Sequence, residues 1–60
     1  MLIEIEYYNY STYETRTEVV DATPMREILG NDSFVIANVW EQAKGRCTNN
    51  ERVFRIAVIG

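Results

Sequence analysis

The chain contains one cysteine, Cys47, and no histidine, so neither an internal disulfide nor the usual cysteine- or histidine-based metal site can stabilise its fold. A chain of 60 residues buries only about 60% of the surface that its unfolded form exposes. The remaining supplement to a small core is assembly with a second subunit. The sequence starts at Met1 without a visible linker or repeat, and we expect a complete gene product with one domain over residues 1–60.

Composition and charge restrict the classes of function. Hydrophobic residues make up 47% of the chain and charged residues 25%, which is typical of a folded globular domain. The net charge of -3 gives no general attraction to nucleic acid or to anionic lipid. The N-terminus has neither the basic region nor the unbroken apolar stretch of a targeting or membrane segment. We therefore expect a cytoplasmic protein that does not bind membranes.

Three segments have the sequence pattern of β-strands. Apolar and polar residues alternate from Leu2 to Asn9, which predicts a half-buried strand. Residues Thr12 to Val20 also alternate and are rich in β-branched side chains. The run from Arg52 to Ile59 predicts a third strand, which is apolar on nearly both sides.

The first two strands are expected to form a hairpin with a three-residue loop of Tyr10, Ser11 and Thr12. This loop pairs Asn9 with Tyr13, and the resulting register sets Ile3 opposite Val19, Ile5 opposite Thr17 and Glu6 opposite Arg16. A two-residue loop would instead place Ile5 on the same side as Glu14, Arg16 and Glu18, which is why the odd number is preferred.

A short helix is predicted after the hairpin. Thr23 is a candidate N-cap, and Pro24 suits the first helical position because its missing N–H costs nothing there. Gly30 predicts the end of the helix, after about two turns. The helix would present three apolar side chains on one face, from Met25, Ile28 and Leu29.

The segment from Phe34 to Ala43 is ambiguous. Its Phe, Val, Ile and Trp content favours a strand, whereas the spacing of its apolar residues before Gly45 also fits a helix. With the strand preferred, the fold class is α+β, with an antiparallel sheet of about four strands and one short helix in the order ββαββ. Such a strand would be apolar on both faces, and one short helix could not cover both sides of the sheet. The excess of apolar strand surface over what the helix can cover predicts a homo-oligomer, for which Trp40 is the candidate contact.

Tyrosines and carboxylates cluster around the first hairpin, and tyrosine is enriched in protein interfaces. They predict an acidic, tyrosine-bearing face that binds a partner protein with a basic surface. The candidate residues are Glu4, Glu6, Tyr8, Tyr10, Tyr13, Glu14 and Glu18.

The residues that usually carry chemistry are scarce. Without histidine there is no common general base near neutral pH, and the isolated glycines form no phosphate-binding loop. We therefore expect no catalytic residues, no cofactor and no metal, and a small regulator or inhibitor that acts by binding. Two alternatives stay open: a nucleic-acid-binding regulator that uses the basic C-terminal half, and a structural subunit of an assembly. The nucleic-acid alternative depends on four bases, Lys44, Arg46, Arg52 and Arg55.

Overall fold

The chain folds into three strands and two helices, and a computed structural model describes all 60 residues. In chain order the elements are β1 (Leu2–Asn9), β2 (Glu14–Asp21), α1 (Thr23–Leu29), α2 (Asp32–Lys44) and β3 (Glu51–Val58). The expected α+β class with an antiparallel sheet is confirmed. The expected order ββαββ, with four strands and one helix, is wrong, because the order is ββααβ.

Strand β1 lies at the centre of the sheet, which has the order β2-β1-β3 with both neighbours antiparallel to it. Its alternating pattern explains this position. The side chains of Ile3, Ile5 and Tyr7 are fully buried on one side of the sheet, where they form the floor of the core. The predicted extent of this strand, Leu2 to Asn9, is confirmed.

The hairpin between β1 and β2 has a four-residue loop, residues 10–13, so its expected three-residue loop is wrong. Asn9 pairs with Glu14, and Ile5 pairs with Glu18. Every expected pair is displaced by one position, which moves the whole of β2 onto the opposite parity. Glu14, Arg16 and Glu18 therefore lie on the helix side of the sheet, the arrangement that the preference for an odd loop was meant to avoid.

The side chain of Asn9 explains the longer loop. Its Oδ1 accepts hydrogen bonds from the backbone N–H groups of Ser11 and Thr12, at 2.9 and 3.1 Å. The N–H of Tyr13 then donates to the carbonyl of Asn9 at 2.8 Å and closes one helical turn of chain between the strands. Tyr13 completes the loop with a φ of 63°, a left-handed conformation that costs a residue other than glycine about 1–2 kcal/mol.

Helix α1 has the predicted end but a different start. Gly30 adopts a φ of 71° at the C-cap, as its position suggested. Thr23 is the first helical residue and not the N-cap. Its hydroxyl accepts a hydrogen bond from the amino group of Met1, while Asp21 Oδ1 accepts one from the Thr23 N–H. Ile28, which was expected to face the core with its neighbours, is 84% exposed.

Residues 34–43 are helical, so the preferred strand is wrong and the alternative is right. The helix begins one turn earlier than the apolar pattern, because Asn31 caps it by accepting hydrogen bonds from the N–H groups of Ser33 and Phe34. Asp32 adds a negative charge in the first turn, where the helix dipole favours it. Neither helix of the chain has the length and apolar character needed to cross a membrane.

One side of α2 closes the core over β1. Seven residues form this core, and three of them, Val35, Val39 and Ala43, recur every four positions along α2. Met25 and Leu29 of α1 pack against the same cluster. Both helices therefore cover one side of the sheet, and the molecule has two layers.

A β-bulge interrupts the pairing of β3 with β1. Glu6 pairs with Arg55 and Tyr7 with Val53, so Phe54 is an extra residue in β3. The bulge breaks the regular alternation of a strand, which would place Phe54 and Ile56 on one side. Val53 and Ile56 pack against the core, whereas Phe54 is exposed.

The two-layer arrangement is thin. The molecule measures 37 × 19 × 14 Å, and its radius of gyration of 11.9 Å exceeds the value of about 10 Å that compact domains of this length follow. Only seven residues are buried. The fold therefore depends strongly on each of these side chains.

Two valines test this dependence by the same chemical change. Val39→Ala removes two methyl groups from a side chain that is 2% exposed, and we expect a loss of about 1–3 kcal/mol in the free energy of unfolding. Val19→Ala changes a side chain that is 53% exposed, and we expect a change within about 0.5 kcal/mol. Urea denaturation followed by circular dichroism measures both. Equal losses would contradict the placement of the core.

Candidate functional site

The side of the sheet opposite the helices has no covering element. Along β1 the side chains alternate, so those next to the buried Ile3, Ile5 and Tyr7 point away from the helices. The neighbouring strands add the residues that pair with them or contact them. We call this side the uncovered face, and its main residues are Glu4, Glu6, Tyr8, Val19, Phe54 and Arg55.

Apolar side chains occupy both halves of the uncovered face. Phe54 is 61% exposed, and its ring centre lies 6.3 Å from that of Tyr8 in a tilted arrangement. Val19 is exposed on the opposite edge strand, where it pairs with Glu4. The bulge in β3 has a direct effect here, because it turns Phe54 to this side and places it beside Tyr8.

Negative charge lies at the centre of the uncovered face. Glu4 makes no ion pair, and the carboxylate of Glu6 lies 4.0 Å from the guanidinium of Arg55, at the limit of an ion pair. An exposed pair at this distance contributes little to stability. The carboxylates of β1 are therefore available to a partner, while the cations of this face, Arg52 and Arg55, lie on the β3 edge, where they pair with Tyr8 and Glu6.

The acidic, tyrosine-bearing face predicted from the sequence is divided by the observed register. Glu4, Glu6 and Tyr8 lie on the uncovered face, but Glu14 and Glu18 follow the parity of the helix side, so the expectation that these carboxylates share a side is wrong. The two other tyrosines of the predicted face lie in the hairpin loop, with the hydroxyl of Tyr10 bonded to the carbonyl of Asn49 and the ring of Tyr13 exposed.

Glu18 belongs to a polar network on the helix side, at the end of the sheet that carries the hairpin loop. It accepts a hydrogen bond from the Tyr7 hydroxyl at 2.7 Å and another from Arg46 at 3.0 Å. Arg16 lies over the ring of Tyr7, 4.0 Å from its centre, and binds both carboxylate oxygens of Glu51 at 2.8 and 3.0 Å. We call these five residues the polar network: Tyr7, Arg16, Glu18, Arg46 and Glu51.

The polar network shifts the titration of its members. The hydrogen bonds from Arg16 and from the Thr48 backbone lower the pKa of Glu51 from 4.5 to about 2. The pKa of Glu18 is also lowered, mainly by the Tyr7 hydroxyl and then by Arg46. Burial and the bond to Glu18 raise the pKa of Tyr7. Each shift favours the protonation state that the group has in the polar network at neutral pH, which is neutral for Tyr7 and charged for Glu18 and Glu51. The shifts are therefore linked to the stability of the fold.

Trp40, the expected oligomer contact, is half-buried on α2, where it lines a surface pocket of about 280 Å³. The pocket lies between α2 and β3 on the helix side of the sheet. Apolar and charged side chains both line it. We call it the Trp40 pocket, and its residues are Trp40, Lys44, Cys47, Glu51, Arg52 and Val53.

The reactive side chains in the Trp40 pocket make hydrogen bonds or ion pairs within the chain. The thiol of Cys47 donates to the carbonyl of Ala43 at 3.5 Å, and the two other titratable groups beside it in the pocket, Lys44 and Glu51, are paired with Glu41 and Arg16. No group of three or more acidic, cysteine or histidine side chains is placed to hold a metal ion. The carboxylate with the largest shift in pKa, that of Glu51, is held in an ion pair with Arg16.

Comparisons of the chain with models of known protein families, with curated proteins and with solved structures found no match.

Several residues of the two surfaces were not predicted from the sequence. A regular strand would place Phe54 on the same side as Ile56, and only the bulge places it on the uncovered face. The Trp40 pocket requires α2 to be a helix, so it could not be inferred while this segment was taken as a strand. The cap at Asn31, followed by Asp32, was the signal in the sequence that favoured the helix.

The lowered pKa of Glu51 predicts a loss of stability in acid. Because its folded pKa of about 2 lies below the unfolded value of 4.5, the carboxylate stabilises the fold fully above 4.5 and loses this effect as the pH falls towards 2. We expect the urea midpoint to fall through this range, and Glu18 acts in the same direction. Glu51→Gln should lower the midpoint at neutral pH and flatten its dependence on pH.

Glu27→Gln provides the matched control, since Glu27 makes no ion pair. Its midpoint should follow that of the original chain at every pH. An unchanged acid profile in Glu51→Gln would show that the Arg16 pair does not stabilise the fold.

Proposed function

We propose that this chain is a small non-enzymatic regulator or inhibitor that binds another protein through the uncovered face. The observation that carries the proposal is a whole side of the sheet without a covering element, on which Phe54 and Val19 are exposed beside Tyr8. Exposed apolar side chains grouped in one patch and bordered by polar residues are typical of protein interfaces. Of the acidic, tyrosine-bearing face expected from the sequence, the proposed site keeps only the residues of β1, which are Glu4, Glu6 and Tyr8, and it adds Phe54 and Arg55 of β3.

Charge identifies the kind of partner. The carboxylates of Glu4 and Glu6 lie between the apolar side chains, and only the second has a cation nearby. Two copies of the uncovered face would bring like charges together, which opposes association. A partner with an apolar patch bordered by lysine or arginine complements this surface. The occupant of the uncovered face is therefore a different protein with a basic surface.

The absence of catalysis is part of the proposal. An enzyme of this size would need a pocket that encloses its substrate and groups whose pKa values are shifted by that pocket. Here the shifted carboxylates, Glu18 and Glu51, are held in ion pairs with arginine. A binding role also fits the lone thiol of Cys47, which has no disulfide partner and is consistent with a cytoplasmic location.

The nucleic-acid alternative finds less support. Four of the six cationic side chains make ion pairs at 3.1 Å or less with carboxylates of the same chain, so little positive charge is free to release counterions from phosphates. Of the other two, Arg55 is 4.0 Å from Glu6 and Arg52 lies over the ring of Tyr10. Two arginines on an acidic protein do not provide the basic stripe that this class uses.

Two phenylalanines of equal exposure on different sides of the molecule test the uncovered face. Phe54 is 61% exposed on β3 and Phe34 is 62% exposed on α2. The tagged chain and its Phe54→Ser and Phe34→Ser variants are used to capture proteins from the source cells, and a captured protein is purified for titration. We expect Phe54→Ser to weaken its binding at least about tenfold, as loss of a central aromatic contact does. Phe34→Ser should change it less than about twofold.

Charge provides the second part of this test. Glu4→Lys should weaken binding of the same purified partner, and binding by the original chain should decrease as salt is added, because the partner surface is basic. Circular dichroism confirms that each variant is folded. Equal binding by both phenylalanine variants, or tighter binding by Glu4→Lys, would rule out the uncovered face as the partner site.

A further inference from the structure

The Trp40 pocket and the hairpin loop lie at the same end of the molecule. In the sheet, Asn9 at the end of β1 pairs with Glu51 at the start of β3. The loop continues this pairing, because the N–H of Tyr10 donates to the carbonyl of Asn50 at 3.0 Å. Tyr13, the last residue of the loop, and Glu14, the first residue of β2, therefore lie at the end that also carries the pocket, and we call these two residues the hairpin tip.

The pocket is chemically suited to an aromatic side chain that carries a neighbouring carboxylate. Trp40 and Val53 provide apolar walls, and a volume of about 280 Å³ is small for a free ligand but sufficient for one large side chain. Arg52 lines the pocket and is the one lysine or arginine of the chain whose side chain makes no ion pair. It pairs with Tyr8 in the sheet, and its guanidinium lies over the ring of Tyr10, 5.6 Å from the ring centre. The pocket thus has apolar walls and an unpaired arginine at its edge.

The hairpin tip has the complementary chemistry. Tyr13 is 78% exposed, the largest value among the aromatic residues, and its left-handed backbone makes it a conformationally costly residue at this position. Glu14 follows it directly and makes no ion pair. An exposed aromatic ring next to an unpaired carboxylate matches an apolar pocket next to an unpaired arginine.

We propose that a second copy of this chain inserts Tyr13 into the Trp40 pocket and pairs Glu14 with Arg52, reciprocally about a twofold axis. Each copy then donates one hairpin tip and receives another, as a closed twofold dimer requires. The contact is small, so the dimer is weak and exchanges rapidly, in the manner of interfaces below about 1,200 Å². The pocket lies on the helix side, and of the residues in this contact only Arg52 borders the uncovered face, so the association needs neither Phe54 nor Val19 and does not depend on the function proposed for that face.

Two charge reversals test the dimer through mixing. Sedimentation of the original chain should show a dimer fraction that increases between about 10 µM and 1 mM, the range of weak association. Glu14→Arg and Arg52→Glu should each raise the dissociation constant at least about tenfold, since each places two pairs of like charges in the homodimer. An equimolar mixture of the two variants should recover association, because both contacts of the mixed dimer are then between opposite charges.

The control is Glu27→Arg, which makes the same change in net charge at another glutamate without an ion pair and should dimerise like the original chain. Tyr13→Ser should weaken the dimer, whereas Phe54→Ser should leave it intact. A chain that stays monomeric at 1 mM, a mixture that does not recover, or dimerisation unaffected by Tyr13→Ser would each overturn the proposal. Association lost equally in Glu27→Arg would overturn it too, because it would show an effect of net charge alone.

Discussion

Tyr7 joins the two chemically different parts of this molecule. Its ring is fully buried on the central strand, and its hydroxyl donates to Glu18 on β2 while Arg16 covers the ring from the same strand. A side chain that is apolar along its body and polar at its tip can occupy the boundary of a core in this way. These contacts with Tyr7 stabilise Glu18 and Arg16 on the helix side of the sheet. The four-residue hairpin loop, the register and the composition of the uncovered face all depend on this arrangement.

The sequence predicted the elements whose patterns are local, and it failed where a distant contact decides. Strand β1 and the stop at Gly30 follow from alternation and from a glycine in a left-handed conformation. The hairpin register could not be predicted by the rule that charged side chains of β2 point away from the core. The hydrogen bond between Tyr7 and Glu18 stabilises a charged side chain on the core side of the sheet. Residues 34–43 have both the side chains typical of strands and apolar residues at helical spacing. The cap at Asn31 and the burial of one side of the helix against β1 favour the helix.

This helix changes the physical reason for expecting a partner. As a strand, residues 34–43 would have added two apolar faces to the sheet, and that excess was the original basis for a second subunit. As α2, they bury Val35, Val39 and Ala43 instead and cover one side of the sheet. The opposite side stays uncovered for a simpler reason. The two helices follow each other directly along the chain and form a single layer on one side of the sheet.

The uncovered face also shows how small chains can combine stability with binding. Its central carboxylates, Glu4 and Glu6, oppose stacking of identical sheets, while Phe54 and Val19 keep enough apolar surface for a complementary partner. The bulge in β3 separates these two tasks, because it sends Val53 and Ile56 to the core and Phe54 to the surface. A regular strand would have placed Phe54 with Ile56 on one side. Because of this one extra residue, strand β3 supplies both part of the core and the main aromatic contact of the proposed interface.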